Sequence, residues 1–134
     1  MTAITSILGN ISKQQFLAEY WQKKPLLIRN AIANFEAPID ADELAGLALE
    51  EEVESRIVVE QDWQLQCGPF TEETFAKLPA DKWTLLVQAV DLWVPEVAEI
   101  LNKFDFLPKW RMDDIMVSYA ADGGSVGPHF DYYD

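Results

Sequence analysis

Histidine and cysteine are almost missing from this 134-residue chain, which has one of each. A single cysteine excludes an internal disulfide and fits a reducing compartment. One histidine and one cysteine cannot build a Cys/His structural zinc site, so any metal held here must use His129 together with carboxylates. Positive charge is also scarce. Ten Lys and Arg face 23 Asp and Glu, for a net charge of −13. Such a surface repels phosphate, which argues against general binding of nucleic acid or anionic membrane and favours a basic protein or peptide as partner. No run approaches the ~18 apolar residues of a membrane span, and the opening MTAITSILGNIS has no basic segment of a leader. The expectation is a soluble, cytoplasmic protein.

Hydrophobic residues make up 49% of the chain and charged residues 25%, so a folded domain with a real core is expected rather than disorder. Ser12 and Gln15 form a capping box, with Ile11 and Phe16 at the staple positions, and Pro25 ends the helix they open. Leu26–Arg29 reads as a short strand. Asp40 caps a second helix, and Glu50–Glu54 is an acidic, solvated helix end. Two strands, Arg56–Glu60 and Trp63–Cys67, are expected to meet through a tight turn at Gln61-Asp62. Thr71–Leu78 reads as a helix. Trp83–Val90 reads as a strand with one polar interruption at Gln88. Asp91–Phe104 reads as a helix with Pro95 in its first turn, where proline is tolerated. Met112–Tyr119 and Pro128–Tyr133 read as strands around a glycine-rich loop. The five tryptophans and Cys67 are expected in core or interface packing. Helices first, then strands mixed with short helices, point to an α+β or mainly β domain.

His129 and Asp131 are two apart. On a strand their side chains share a face, ~6–7 Å apart along the chain, and can converge on one ion. An imidazole nitrogen and a carboxylate oxygen are two parts of the facial triad of non-haem Fe(II) oxygenases. On its own, H-x-D is a weak pattern in so acidic a chain. The glycines at 123, 124 and 127 and the proline at 128 strengthen it by shaping the approach.

Two longer stretches resemble a known family. Trp21-Gln22-Lys23-Lys24-Pro25-Leu26-Leu27-Ile28-Arg29-Asn30-Ala31 is similar to the entry segment of cupin-like JmjC oxygenases. Met112–Tyr119 followed by Gly123–Asp134 is similar to the metal-binding stretch of their bacterial ribosomal oxygenase branch. The resemblance implies a partial double-stranded β-helix with N-terminal helices. It implies 2-oxoglutarate- and Fe(II)-dependent hydroxylation of an arginine in a large-subunit ribosomal protein. It makes His129 and Asp131 metal ligands, and it places Asp114, Met116 and Tyr133 around the substrate. A carboxylate suits a guanidinium, and a thioether and a phenol ring suit its flat faces.

The resemblance also implies what residues 1–134 do not supply. The family's second ligand histidine, its basic residue for 2-oxoglutarate, its dimerisation helices and its C-terminal winged-helix-like part all lie further on. Residues 1–134 are therefore expected to be the N-terminal part of one catalytic domain, inactive alone and prone to self-associate through exposed strand edges. The intact enzyme is expected to be a homodimer. Two other readings use the same residues. One is a non-catalytic acidic cupin-like module that binds a basic peptide. The other is a domain in which His129 and Asp131 only make hydrogen bonds.

Overall fold

A computed structural model describes residues 6–132. The first helix starts as the sequence leads one to expect. Ser12 Oγ accepts from Gln15 N at 3.0 Å and opens α1, Lys13–Gln15. The chain then widens into a π-turn over Phe16–Tyr20, with Trp21 N donating to Phe16 O. The other arm of the capping box is not made, because the Gln15 side chain donates to Glu19 instead. α2, Ala41–Leu47, is capped by Asp40, whose carboxylate accepts from Glu43 N at 2.8 Å. α3, Glu72–Ala76, is capped by Thr71 in the same manner. α4 runs over Pro95–Leu101, with Pro95 in the first turn, where its missing N–H goes unnoticed.

Four strands form one antiparallel sheet in the order β2-β1-β3-β4. They are β1 Ser55–Val59, β2 Gln64–Cys67, β3 Trp83–Val87 and β4 Val117–Ala120. Pairing of Ile57 with Leu85 and of Leu85 with Tyr119 sets the register. Side chains alternate across a strand, so Ile57, Leu85 and Val87 point to one face. There they join Leu44 of α2, Val97 of α4 and Val90 in the core. Ile57, Val87, Val90 and Val97 are fully buried. Each such side chain contributes roughly 1.5–3 kcal/mol by leaving water. The opposite face carries Arg56, Val58, Leu65 and Leu86, and it lines an open cleft.

Several expectations change. The hairpin turn is wider than two residues, because Val59 pairs with Gln64 and leaves Glu60–Trp63 as the loop. Asp62 and Trp63 take left-handed φ values of 62° and 48°, which no ladder residue adopts, so the strand starts one residue late. Arg29 already lies in a turn, and Leu26–Ile28 belongs to no helix or strand. Its alternation remains: Leu26 and Ile28 turn towards Phe16, Phe104 and Phe106, while Leu27 is exposed. Residues 112–116 do not join β4, because the backbone of Ile115 is engaged elsewhere: its carbonyl accepts from Val90 N and its amide donates to Asp91 Oδ1, both at 2.9 Å.

Pro128–Asp131 is not a strand either. Cys67 is exposed rather than buried. Trp63, Trp93 and Trp110 are exposed as well, so they are not core residues. The acidic stretch is solvated as expected, with Glu50, Glu51, Glu52 and Glu54 all exposed. Among the described residues, no helix is long and apolar enough to cross a membrane.

Candidate functional site

The cleft on the open face of the sheet has a volume of about 790 Å³. Its walls include Arg56, Leu86, Gln88, Asp114, Met116, His129 and Asp131. Four carboxylates (Glu54, Asp113, Asp114 and Asp131) share it with one guanidinium and one imidazole, so the cleft is acidic. Fields inside a concave acidic surface concentrate cations.

The loop that carries His129 is laid across the start of β3. Ala121 N donates to Trp83 O at 3.0 Å, and Gly124 N donates to Ala121 O at 2.7 Å. A Cβ at Gly124 would lie 2.4 Å from Trp83 O and 2.9 Å from Ala121 O, so only glycine fits there. Gly127 takes φ +73° beneath the Trp63 ring, within ~3.2 Å of where its Cβ would be. Trp63, which the sequence suggested for the core, therefore covers the turn just before His129.

His129 is positioned by its own loop. Its Nδ1 lies 2.8 Å from Gly127 O. A carbonyl only accepts, so Nδ1 carries a proton, and in the neutral ring the lone pair is then on Nε2. Nε2 lies 3.7 Å from Asp131 Oδ1. That is too long for a hydrogen bond, and as an exposed pair it contributes little to stability. It is shorter than twice a metal–ligand bond of ~2.1 Å, so a single ion can touch both atoms. The two side chains meet although no ladder forms there. A nitrogen and a carboxylate oxygen suit a divalent first-row metal, and a ring nitrogen hydrogen-bonded to a backbone carbonyl is how metal-binding imidazoles are usually oriented. Among the described residues, no group of three or more metal-binding side chains is assembled. The pair thus fits part of a metal site, and further ligands would have to come from elsewhere.

Asp114 and Met116 face the same cleft, and the Val90/Asp91 clamp on Ile115 between them fixes that alternation. Tyr133 lies outside the described residues. Two further residues went unmarked as site residues in the sequence. Gln88 Nε2 donates to both oxygens of Asp114 at 3.0 Å. Arg56 Nη2 donates to Gln88 Oε1 at 3.1 Å and approaches Met116 Sδ at 3.8 Å. The available signal for Gln88 was its place as the only polar residue in the run from Leu85 to Val90.

Residues 99–134 match the JmjC domain family, and the fold matches part of a JmjC/cupin oxygenase. The chain resembles the N-terminal part of bacterial JmjC ribosomal oxygenases. It is 44% identical over 141 residues to a probable ribosomal oxygenase of Haemophilus influenzae, covering 100% of this chain and 35% of that protein. It is 49% identical over 121 residues to the ribosomal protein uL16 3-hydroxylase of Escherichia coli, covering 89% of this chain and 32% of that one. Among solved structures it matches the E. coli ribosomal oxygenase YcfD in complex with cobalt and 2-oxoglutarate. The TM-score there is 0.84 and the identity 46%, over 91% of this chain and 34% of that one. The chain spans about a third of the length of these relatives.

Proposed function

We propose that this chain is the N-terminal part of a single catalytic domain in a 2-oxoglutarate- and Fe(II)-dependent hydroxylase. Its substrate is an arginine of a large-subunit ribosomal protein, and it works in the cytoplasm as a homodimer. The observation that carries the reading is the convergence of His129 Nε2 and Asp131 Oδ1 in an acidic cleft. Similarity to ribosomal oxygenases, one of them solved with cobalt and 2-oxoglutarate, supports it. Fe(II) with 2-oxoglutarate and dioxygen supplies the oxidising power: a substrate C–H becomes C–OH while 2-oxoglutarate becomes succinate and carbon dioxide.

This chain's own residues hold and place the reactants. His129 and Asp131 provide two metal ligands, and the Gly127 carbonyl keeps the imidazole in the tautomer that can bind. Asp114 takes the substrate guanidinium by charge-assisted hydrogen bonds. Met116 lies against its flat face, and Tyr133, outside the described residues, joins the same proposed substrate set. The net charge of −13 steers a basic ribosomal protein towards the cleft. With a single histidine in 134 residues, the second ligand histidine and the basic residue for 2-oxoglutarate belong to the longer protein. This chain alone is inactive.

The test compares the full-length protein with residues 1–134 alone, using ribosomal protein uL16 as substrate. The full-length protein is expected to convert 2-oxoglutarate to succinate and to add one oxygen to an arginine, read by mass spectrometry. The short chain is expected to do neither. Turnover by residues 1–134, or tight binding of uL16 by the full-length protein without any hydroxylation, would overturn the reading. The second outcome would favour a non-catalytic acidic module that binds basic peptides.

A further inference from the structure

The hairpin loop Glu60–Trp63 reaches the loop that carries His129 through the Trp63 side chain. Asp62 and Trp63 take left-handed backbone, with φ 62° and 48°, a conformation uncommon for bulky residues. An extended Trp63 would follow the alternation of β2 and stand in line with Leu65 on the cleft wall. The left-handed turn takes it off that line, and its ring lies over Gly127 instead. Backbone outliers of this sort gather at functional sites, where the strain serves to hold a group in place. We propose that Trp63 is a positioning residue for the metal site: its ring pins Gly127, and the Gly127 carbonyl in turn fixes the His129 imidazole. The proposal rests on the reading of His129 as a metal ligand.

The contact is direct. Around the position of a Gly127 Cβ, the three nearest heavy atoms all belong to the benzene half of the Trp63 indole: Cζ3 at 3.1 Å, Cη2 at 3.2 Å and Cε3 at 3.4 Å. Gly127 O lies 2.8 Å from His129 Nδ1, so the ring bears on the same residue that orients the imidazole. Among the described residues, the hydrogen bonds of residues 125–129 run from Gly127 N to Ser125 Oγ and from His129 Nδ1 to Gly127 O, both inside the loop. Gly124 seats the loop against β3, but it does so before Gly127 is reached. Hydrogen bonds therefore leave Gly127 untied to the sheet, and the indole supplies the tie. A large, rigid apolar ring against a Cα holds it by many small dispersion contacts. Gly127 in turn needs to be glycine, both for its φ of +73° and for the closeness of the ring.

The test uses the full-length protein and two readouts: Co(II) affinity, and hydrogen exchange at the Gly127 amide without metal. Trp63 is half exposed, so truncating it leaves the core intact. Trp63→Ala is expected to weaken Co(II) binding by about tenfold, the low end for loss of an orienting neighbour, because it acts through the Gly127 carbonyl. It should also speed exchange at Gly127. Trp63→Gly suits the left-handed backbone and lacks the ring, so it should behave as Trp63→Ala does. Trp63→Phe keeps a flat ring and should recover most of the affinity. Trp110→Ala removes an exposed indole that sits by Arg111, and it should change neither readout. If His129→Ala loses Co(II) while Trp63→Ala does not, the metal site stands and the positioning role is overturned. If His129→Ala keeps Co(II), the metal reading itself fails and the proposal falls with it. Weakened Co(II) binding in Trp63→Ala with unchanged exchange at Gly127, or wild-type affinity in Trp63→Gly, would also overturn it.

Discussion

Replacing Gly124 with alanine tests how the loop before His129 is held. The added Cβ would sit 2.4 Å from Trp83 O, 2.9 Å from Ala121 O and 3.1 Å from Thr84 Oγ1. Two of these atoms are backbone. One belongs to a central strand and the other accepts the hydrogen bond from Gly124 N that closes the turn. Neither can swing aside as a side-chain tip could, so the loop must lift off β3. Overpacking of this kind costs about 2 kcal/mol. With a urea m-value of about 1.5 kcal/mol per M for a chain of this size, the midpoint should fall by ~1.3 M. Gly46→Ala is the matched contrast. Gly46 lies in α2 with nothing within 4 Å of its missing Cβ. There the same substitution should raise stability by roughly 0.5–1 kcal/mol, since it removes only the flexibility of glycine in a helix. The assay is urea unfolding of residues 1–134 followed by tryptophan fluorescence. Equal midpoints for Gly124→Ala and wild type would refute the close approach of this loop to β3.

Two shorter predictions follow from the same geometry. Asp91→Ala removes the acceptor of Ile115 N, so it should cost about 1–2 kcal/mol. It should also speed hydrogen exchange at that amide, and unchanged exchange would show that the Asp91 side chain does not hold the segment. Capture of a basic peptide by the full-length protein should slow several-fold as salt shortens the Debye length from ~30 Å at 0.01 M to ~8 Å at 0.15 M. A salt-independent rate in stopped-flow would mean that the negative charge serves solubility alone.

Much of the fold was legible because local signals agreed with tertiary needs. Asp40 and Thr71 cap their helices with their own side chains, so those helices declare themselves in the sequence. Ile57–Val59 of β1 and Leu85–Val87 of β3 are apolar runs, and the sheet buries Ile57 and all three β3 residues among them. Misreadings arose where pattern and pairing part company. Leu26–Ile28 alternates like a strand because alternate residues meet Phe16, Phe104 and Phe106, yet no neighbour offers it a ladder. Ile115 looks like strand interior, but its backbone groups are taken by Val90 and Asp91.

The site was legible only in part. His129 and Asp131 stood out by spacing, and they meet through a loop rather than along a strand. Arg56 and Gln88 did not stand out. Their contact depends on which strands lie side by side, and 32 residues separate them in the chain.

The central claim is that His129 and Asp131 hold the metal. Co(II) titration of the full-length protein, followed by absorption spectroscopy, tests it directly in wild type, His129→Ala and Asp131→Asn. Losing an orienting neighbour of a metal ligand typically costs 10–100-fold in affinity, so losing a ligand should weaken Co(II) binding by at least about a hundredfold in each variant. Wild-type Co(II) affinity in both variants would contradict the account.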